Sequence, residues 1–226
     1  MLGAITYGNT GAGRPRRTVR YGLPLLEVAL RSGSWREKGR VRSAARQLRR
    51  QGIVRVLAPP EFAHWDLLEN RGLRRVDPLP FLRCYAGELA LAALLREGVA
   101  PQQGTVALRG RRVDRDMVRT AEFLCSRVRE LAVSAPQGGA ELAAWLRREY
   151  GMPVRPDGEG ITAAVRFAPC PAPAGGRELI LYDGPPDLTG ISLRAAGLEG
   201  PDREDLPLLA ALWETGRLET QDLEFT

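Results

Sequence analysis

The sequence predicts an α/β fold in which a mostly parallel sheet carries flanking helices, with a smaller α/β region before it. Between residues 105 and 154, strand-like and helix-like segments alternate with short connections. Right-handed crossovers between such segments place the strands parallel in one sheet. The chain has 226 residues, of which 44% are apolar, and this is enough for a packed core.

The alternating unit is supported segment by segment. Its elements are a strand at 105–108, a helix at 117–128, a strand at 131–134, a helix at 138–151 and a strand at 152–154. In the first helix, Met117, Ala121 and Leu124 recur at the spacing of one helical face. Gly138 opens the second helix and Gly151 closes it, because glycine is favoured just beyond a helix end.

This unit resembles the dinucleotide-binding half of dehydrogenases, the Rossmann type. The resemblance implies a bound NAD or NADP, held where a G-x-G-x-x-G loop lets the backbone approach the pyrophosphate. Residues 108–114 of this chain read Leu-Arg-Gly-Arg-Arg-Val-Asp and contain one glycine. Since the fingerprint is absent, we expect NAD and NADP to bind weakly or not at all.

The loop after the first strand of this unit is the candidate anion site. Its candidate contacts are Arg109, Gly110, Arg111 and Arg112. Arginine forks suit phosphate or carboxylate, which favours a small anionic ligand here. Asp114 and Asp116 favour the alternative, because carboxylates at a helix start already satisfy the free amides and the positive end of the helix dipole. The loop is therefore either a modified anion site or a solvated basic loop beside a capped helix.

Other candidate ligand contacts follow later strands. They are Ser134, Gly138, Gly139 and Asp183. The glycine pair could let a ligand approach the amides of the next helix, although such a pair is also typical of an ordinary turn. Asp183 and Asp187 follow a strand, where α/β folds gather ligands, in a stretch whose Asp, Gly and Pro content is equally typical of a turn.

The remaining elements fall in an N-terminal basic α/β region at 1–100 and in the Rossmann-like domain at 101–226. The first region is predicted to hold a hairpin or flexible loop at 8–13, a strand from 18, a helix at 39–51, a strand at 53–57, a short helix at 61–71 and an apolar helix at 79–97. The second continues with strands at 162–168 and 178–183 and a helix at 206–218 that covers the sheet. The two strands lack a helix between them, so we expect an antiparallel pair or an irregular sheet edge.

Basic charge is concentrated at the N-terminus. Residues 1–60 hold 13 basic residues against two acidic ones, whereas residues 199–226 hold eight acidic residues and two arginines. On the helix at 39–51, Arg42, Arg46 and Arg49 form a basic surface beside the apolar stripe. We expect the acidic segment from Glu199 to pack near this surface, within one chain or across a homodimer, and to mask it from nucleic acid.

Several classes of site and location are disfavoured. One histidine and three widely separated cysteines predict neither a metal site nor a disulfide framework. His64 lies between Glu61 and Asp66, so it is either a general base oriented by a carboxylate or a surface residue. The N-terminus lacks the pattern of a signal peptide, and the apolar run at 89–95 is too short to span a bilayer, so we expect a cytoplasmic protein.

Three functions fit these observations. The first is a non-catalytic or vestigial Rossmann-like module that binds a small molecule or serves assembly. The second is an oxidoreductase: the resemblance to the shikimate-dehydrogenase type implies a substrate domain at 1–100 and a catalytic lysine and aspartate pair, whereas the single lysine, Lys38, lies in a charged stretch without that motif. The third is nucleic-acid binding by the basic N-terminal region, which lacks interleaved aromatics and a helix-turn-helix signature.

Overall fold

The computed structural model describes residues 1–8, 13–31, 36–171 and 175–226. The chain divides into two compact units. Unit 1 is Met1–Asp77 with Gly197–Thr220, and unit 2 is Pro78–Ala196 with Gln221–Thr226. This division differs from a boundary at residue 100, because the apolar helical stretch after Pro78 belongs to unit 2 and the segment from Gly197 returns to unit 1. Most of the predicted loop at 8–13 lies outside the described residues.

Each predicted helix and strand has a counterpart in the structure, which also contains strands at 2–7, 23–30, 74–75, 193–195 and 223–225 that the sequence analysis did not predict. In chain order they are β1 (Leu2–Tyr7), β2 (Pro15–Arg20), β3 (Leu23–Leu30), α1 (Glu37–Arg50), β4 (Arg55–Leu57), α2 (Trp65–Glu69), β5 (Arg74–Arg75), α3 (Leu79–Cys84), α4 (Ala86–Arg96), β6 (Thr105–Arg109), α5 (Arg115–Cys125), β7 (Glu130–Ser134), α6 (Gly139–Tyr150), β8 (Val154–Arg155), β9 (Ala163–Arg166), β10 (Arg177–Ile180), β11 (Leu193–Ala195), α7 (Leu206–Glu214) and β12 (Leu223–Phe225). The predicted helix at 79–97 is two helices, α3 and α4, which meet at Tyr85.

Unit 1 is built on a five-stranded sheet with the order β2-β3-β1-β4-β5. Strands β3, β1, β4 and β5 run parallel, and β2 pairs antiparallel with β3 at the sheet edge. Side chains of Ile5, Val28 and Val56 share a buried cluster with α1, so α1 covers one face of this sheet. Gly3 lies on the same face because a Cβ there would approach Ile53 to 3.0 Å.

Unit 2 has the Rossmann-like fold. All neighbouring pairs of its five-stranded sheet are parallel, in the order β10-β9-β6-β7-β8. When β6 is counted as the first strand, this order is 3-2-1-4-5, the strand order of dinucleotide-binding α/β folds. Asp114 caps α5 by accepting a hydrogen bond from the Met117 amide at 2.9 Å, and Gly151 ends α6 in the left-handed region at φ 61°.

The expectation of an antiparallel pair after residue 162 was wrong. Strand β10 pairs parallel with β9, with Arg177 opposite Ala163 and Ile180 opposite Arg166. Strand β9 is itself parallel to β6, so β10 continues the parallel sheet at its edge. Part of that connection, residues 172–174, lies outside the described residues.

The connection from β8 to β9 crosses the sheet without a helix. Residues 156–162 are irregular, and Ile161 packs on a sheet face made of Ala107, Ala132 and Ala164. Methyl side chains let the chain lie close to the sheet, where larger residues would hold it away. This crossing brings Asp157 to the side chain of Arg109.

Among the described helices, none has both the length and the apolar content needed to cross a membrane.

Candidate functional site

Ligand sites in open α/β sheets form outside the carboxyl ends of neighbouring strands whose connections leave in opposite directions. In unit 2 these strands are β6 and β9, since the chain continues from β6 to β7 on one side and from β9 to β10 on the other. In unit 1 they are β1 and β4, since the chain continues from β1 to β2 and β3 on one side and from β4 to β5 on the other. Each unit therefore has one crevice where a ligand is expected.

The crevice of unit 2 is occupied by Arg83, which comes from α3. Its Nε donates a hydrogen bond to the Leu181 carbonyl at 2.8 Å, and its Nη2 donates to the Phe167 carbonyl. Its Nη1 lies 3.7 Å from Asp114 and 3.6 Å from Asp116. One guanidinium thus joins the carboxyl ends of β9 and β10 to the start of α5, the place where a dinucleotide pyrophosphate would lie.

Arg109 points away from the predicted anion loop. Its side chain is fully buried and donates to Asp157 at 2.8 and 2.9 Å and to Glu178. Burial alone would lower the pKa of Arg109, but the hydrogen bonds and charges of the two carboxylates outweigh it and the pKa is raised. The guanidinium is therefore a closed internal ion pair and is not open to a ligand from solvent.

The structure brings together most of the other predicted contacts of unit 2. The Gly110 amide donates to the Ser134 carbonyl at 2.9 Å, and Arg112 forms a β-bridge with Gln137. Gly138 packs against this loop, because a Cβ there would lie 3.3 Å from Val113.

The remaining predicted contacts have separate settings. Arg111 and Arg112 are exposed, and the Arg111 Nε donates to the Pro169 carbonyl at 2.9 Å. Gly139 is buried in the first turn of α6. Asp183 is exposed, with a left-handed φ of 27°, in the turn that follows β10. Of the arginines in the predicted loop, Arg111 and Arg112 are the exposed ones, and anion binding by them stays a prediction.

The crevice of unit 1 is open. It holds a cavity of about 800 Å³ at the carboxyl ends of β1 and β4. Its lining includes Ala4, Thr6, Arg20, Leu57, Glu61 and Asp205. A second cavity of about 520 Å³ adjoins it, because Thr6 lines both. Pocket volumes of this size are typical of small-molecule sites.

The rim of the larger cavity carries a half-buried acidic group, Asp205. Burial raises the pKa of Asp205, and the charge of Asp202 raises it further, while its hydrogen bond from Leu208 and the charge of Arg20 act in the opposite direction. Asp202 accepts hydrogen bonds from Arg20 and from the Tyr21 hydroxyl at 2.9 Å. The segment that starts at Gly197 thus supplies one side of the crevice.

A second polar cluster lies beside β1 and was missed by sequence reasoning. The Tyr7 hydroxyl donates to Glu37 at 3.2 Å, and the His64 Nε2 lies 3.6 Å from the same carboxylate. Burial and the charge of Glu37 raise the pKa of Tyr7. His64 therefore contacts the carboxylate of Glu37, whereas the sequence suggested Glu61 or Asp66. In the sequence, Glu37 could have been singled out only because it is one of two acidic residues among the first 60.

The predicted basic surface is exposed on α1, at Arg42, Arg46 and Arg49. Two carboxylates of the acidic segment pair elsewhere: Asp202 with Arg20, and Glu214 with Arg55 at 2.6 Å.

These pairs lie on the opposite sheet face. Val56 packs against α1, and the preceding residue, Arg55, points to the other face because side chains alternate along a strand. The segment Gly197–Thr220, which includes the helix expected to cover the Rossmann-like sheet, belongs instead to unit 1. The two pairs lie away from the α1 surface, so they do not mask it.

Within the described ranges, no three His, Cys, Asp or Glu side chains gather as metal ligands would. No protein-family model matches the chain, and no curated protein matches it.

Similar solved structures include a phosphoglycerate oxidoreductase from Vibrio cholerae O395, with a TM-score of 0.33, 12% identity and coverage of 74% of this chain and 66% of that one. An L-tryptophan dehydrogenase from Nostoc punctiforme has a TM-score of 0.31, 12% identity and coverage of 73% and 55%. A shikimate dehydrogenase in complex with NADP+ has a TM-score of 0.29, 12% identity and coverage of 74% and 65%. The matched part of each of these proteins is thus less than two thirds of its length.

Proposed function

We propose that this protein is a non-catalytic or vestigial Rossmann-like protein that binds a small molecule in the crevice of unit 1. The observation that carries the proposal is the position of Arg83, which fills the corresponding crevice of unit 2. One of two equivalent crevices is thus closed by the protein itself. The other is open.

A dinucleotide would have to displace Arg83 from two carbonyls that would then lose their partner. Leaving a buried polar group unpaired costs about 1 to 3 kcal/mol. A pyrophosphate would also meet Asp114 and Asp116, whose charge Arg83 now balances. Both effects oppose NAD and NADP, and the single glycine of the loop does not offer the close backbone approach that would offset them.

The crevice of unit 1 supports binding by its position and its lining. It lies at the carboxyl ends of parallel strands, its floor includes the small side chains of Ala4 and Thr6, and its rim carries charged groups. Small floor residues leave room for a ligand, and a few placed polar groups fix its orientation.

The test is a thermal-shift screen against a panel of small polar metabolites. Thr6→Phe places a large side chain where the two cavities meet and should abolish the melting-temperature increase given by any panel compound that binds. Thr6→Val is the matched control, because it keeps the volume and removes only the hydroxyl. If compounds raise the melting temperature equally in wild type and Thr6→Phe, or if no compound raises it, the proposal fails.

A further inference from the structure

The pairing of β2 and β3 decides which arginines face the crevice. Arg16 lies opposite Glu27, and Arg17 lies opposite Leu26. Leu26 belongs to the buried cluster under α1, so Arg17 is on the α1 side of the sheet. Arg16 is therefore on the other side, where it lines the cavity of about 520 Å³ together with Arg14.

Arg14 and Arg16 are exposed guanidiniums at the wall of a cavity. Within the described part of the chain, neither takes part in a hydrogen bond or an ion pair with another side chain. The neighbouring carboxylate, Glu27, accepts a hydrogen bond from the Thr6 hydroxyl at 2.7 Å. Two exposed guanidiniums on one wall present N–H donors that fit a carboxylate or phosphate group of a ligand.

The larger cavity has the opposite charge. Carboxylates of Glu61, Asp202, Glu204 and Asp205 line it, against one cation, Arg20, which pairs with Asp202. Thr6 lines both cavities, so the two charged regions adjoin at this residue, and the two cavities are together named the groove. A ligand that lies along this groove meets positive charge at one end and negative charge at the other.

We propose that the groove binds a zwitterionic small molecule, whose carboxylate lies at Arg14 and Arg16 and whose amine lies at the Glu61 end. This rests on the proposed function, because it names the ligand class of the same crevice. A free anion would satisfy only the arginine end, and a simple amine would satisfy only the acidic end. A zwitterion satisfies both ends, and electrostatic complementarity at both ends favours it over a ligand that carries only one of the two charges.

The experiment uses calorimetric titration of the full-length protein with three probe series of matched length: ω-aminoalkanoates, alkanoates and alkylamines. The expected result is that one ω-aminoalkanoate binds about tenfold or more tightly than the alkanoate or the alkylamine of its length, since a charged hydrogen bond is lost with either group. The length that binds best reports the distance between the two charged ends.

Substitutions at each end of the groove test which residues bind the carboxylate and which bind the amine. The double change Arg14→Ala, Arg16→Ala should weaken the best ω-aminoalkanoate about tenfold or more and leave the alkylamine unaffected. Arg16→Ala and Arg17→Ala are the matched single changes, because each removes one positive charge from the same strand, on opposite sheet faces, and only Arg16→Ala should weaken the ω-aminoalkanoate. Glu61→Gln should weaken the ω-aminoalkanoate and leave the alkanoate unaffected.

The inference is overturned if no ω-aminoalkanoate binds more tightly than the alkanoate and the alkylamine of its length, or if Arg17→Ala weakens its binding as much as Arg16→Ala does. Failure here is distinct from failure of the proposed function. If a compound of another class raises the melting temperature of wild type and not of Thr6→Phe, the crevice is a ligand site and only the zwitterion is wrong.

Discussion

Replacing Arg109 by methionine should strongly destabilise unit 2, because it leaves the carboxylate of Asp157 without its cation and leaves Glu178 paired with Arg166 alone. Arg109 has no exposed side-chain surface, and its partners Asp157 and Glu178 are 7% and 30% exposed. Breaking a buried ion pair by removing one partner costs about 3 to 5 kcal/mol, whereas an exposed pair contributes about 0 to 1 kcal/mol. Since Glu178 retains some solvent, we expect a loss near the lower end, about 3 kcal/mol.

The assay is urea denaturation followed by circular dichroism, with hydrogen-exchange mass spectrometry of residues 105–109 to isolate unit 2. Arg148→Met is the control, because the Arg148 and Glu149 side chains are 73% and 48% exposed. The double change Arg109→Met, Asp157→Asn should recover part of the loss by removing one stranded charge. If Arg109→Met costs no more than Arg148→Met, the internal ion pair does not hold the 156–162 crossing against the sheet.

Three further changes test other parts of the structure. Burial raises the pKa of Glu88, so the folded state binds the proton of this carboxyl more tightly than the unfolded state does. The stability that proton binding contributes is therefore present in acid and is lost as pH rises through the pKa of the folded state. Glu88→Gln should therefore stabilise the protein relative to wild type at neutral pH and not in acid, and a gain in urea midpoint that is independent of pH would contradict this. His64→Ala should leave ligand-induced thermal shifts intact, because His64 is outside the residues that line the two cavities; loss of the shift at an unchanged melting temperature would give it a binding role. Gly87→Ala should lower the free energy of unfolding by about 1 to 3 kcal/mol, since the added Cβ would lie 2.3 Å from the Phe123 ring. Gly39→Ala is the control and should stabilise the protein slightly, because there is open space around this residue. Equal melting temperatures of the two variants would contradict this packing.

Local patterns were sufficient to predict the elements between residues 105 and 155 of unit 2. The helix from Arg115 follows from the spacing of Met117, Ala121 and Leu124 and from the cap at Asp114, all within a dozen residues. The glycine at 151 ends α6 where predicted. Such signals depend only on neighbours along the chain, so a single sequence contains them.

The features that decide the function depend on distant residues. In the sequence Arg83 interrupts an apolar helix, and nothing nearby shows that its partners are Asp114, Phe167 and Leu181. Arg16 and Arg17 are adjacent and chemically identical, and only the pairing of β2 with β3 places one at the crevice. The parallel direction of β10 likewise depends on its pairing with β9, which no local pattern encodes.

The most direct test of the central claim is calorimetric titration of the wild-type protein with NAD and with NADP at low salt. The claim is that Arg83, Asp114 and Asp116 close the crevice in which a dinucleotide would lie. It predicts no saturable binding of either nucleotide up to about 1 mM, which corresponds to a binding free energy weaker than about −4 kcal/mol. Micromolar affinity for either nucleotide would contradict it and would favour an NAD(P)-dependent oxidoreductase.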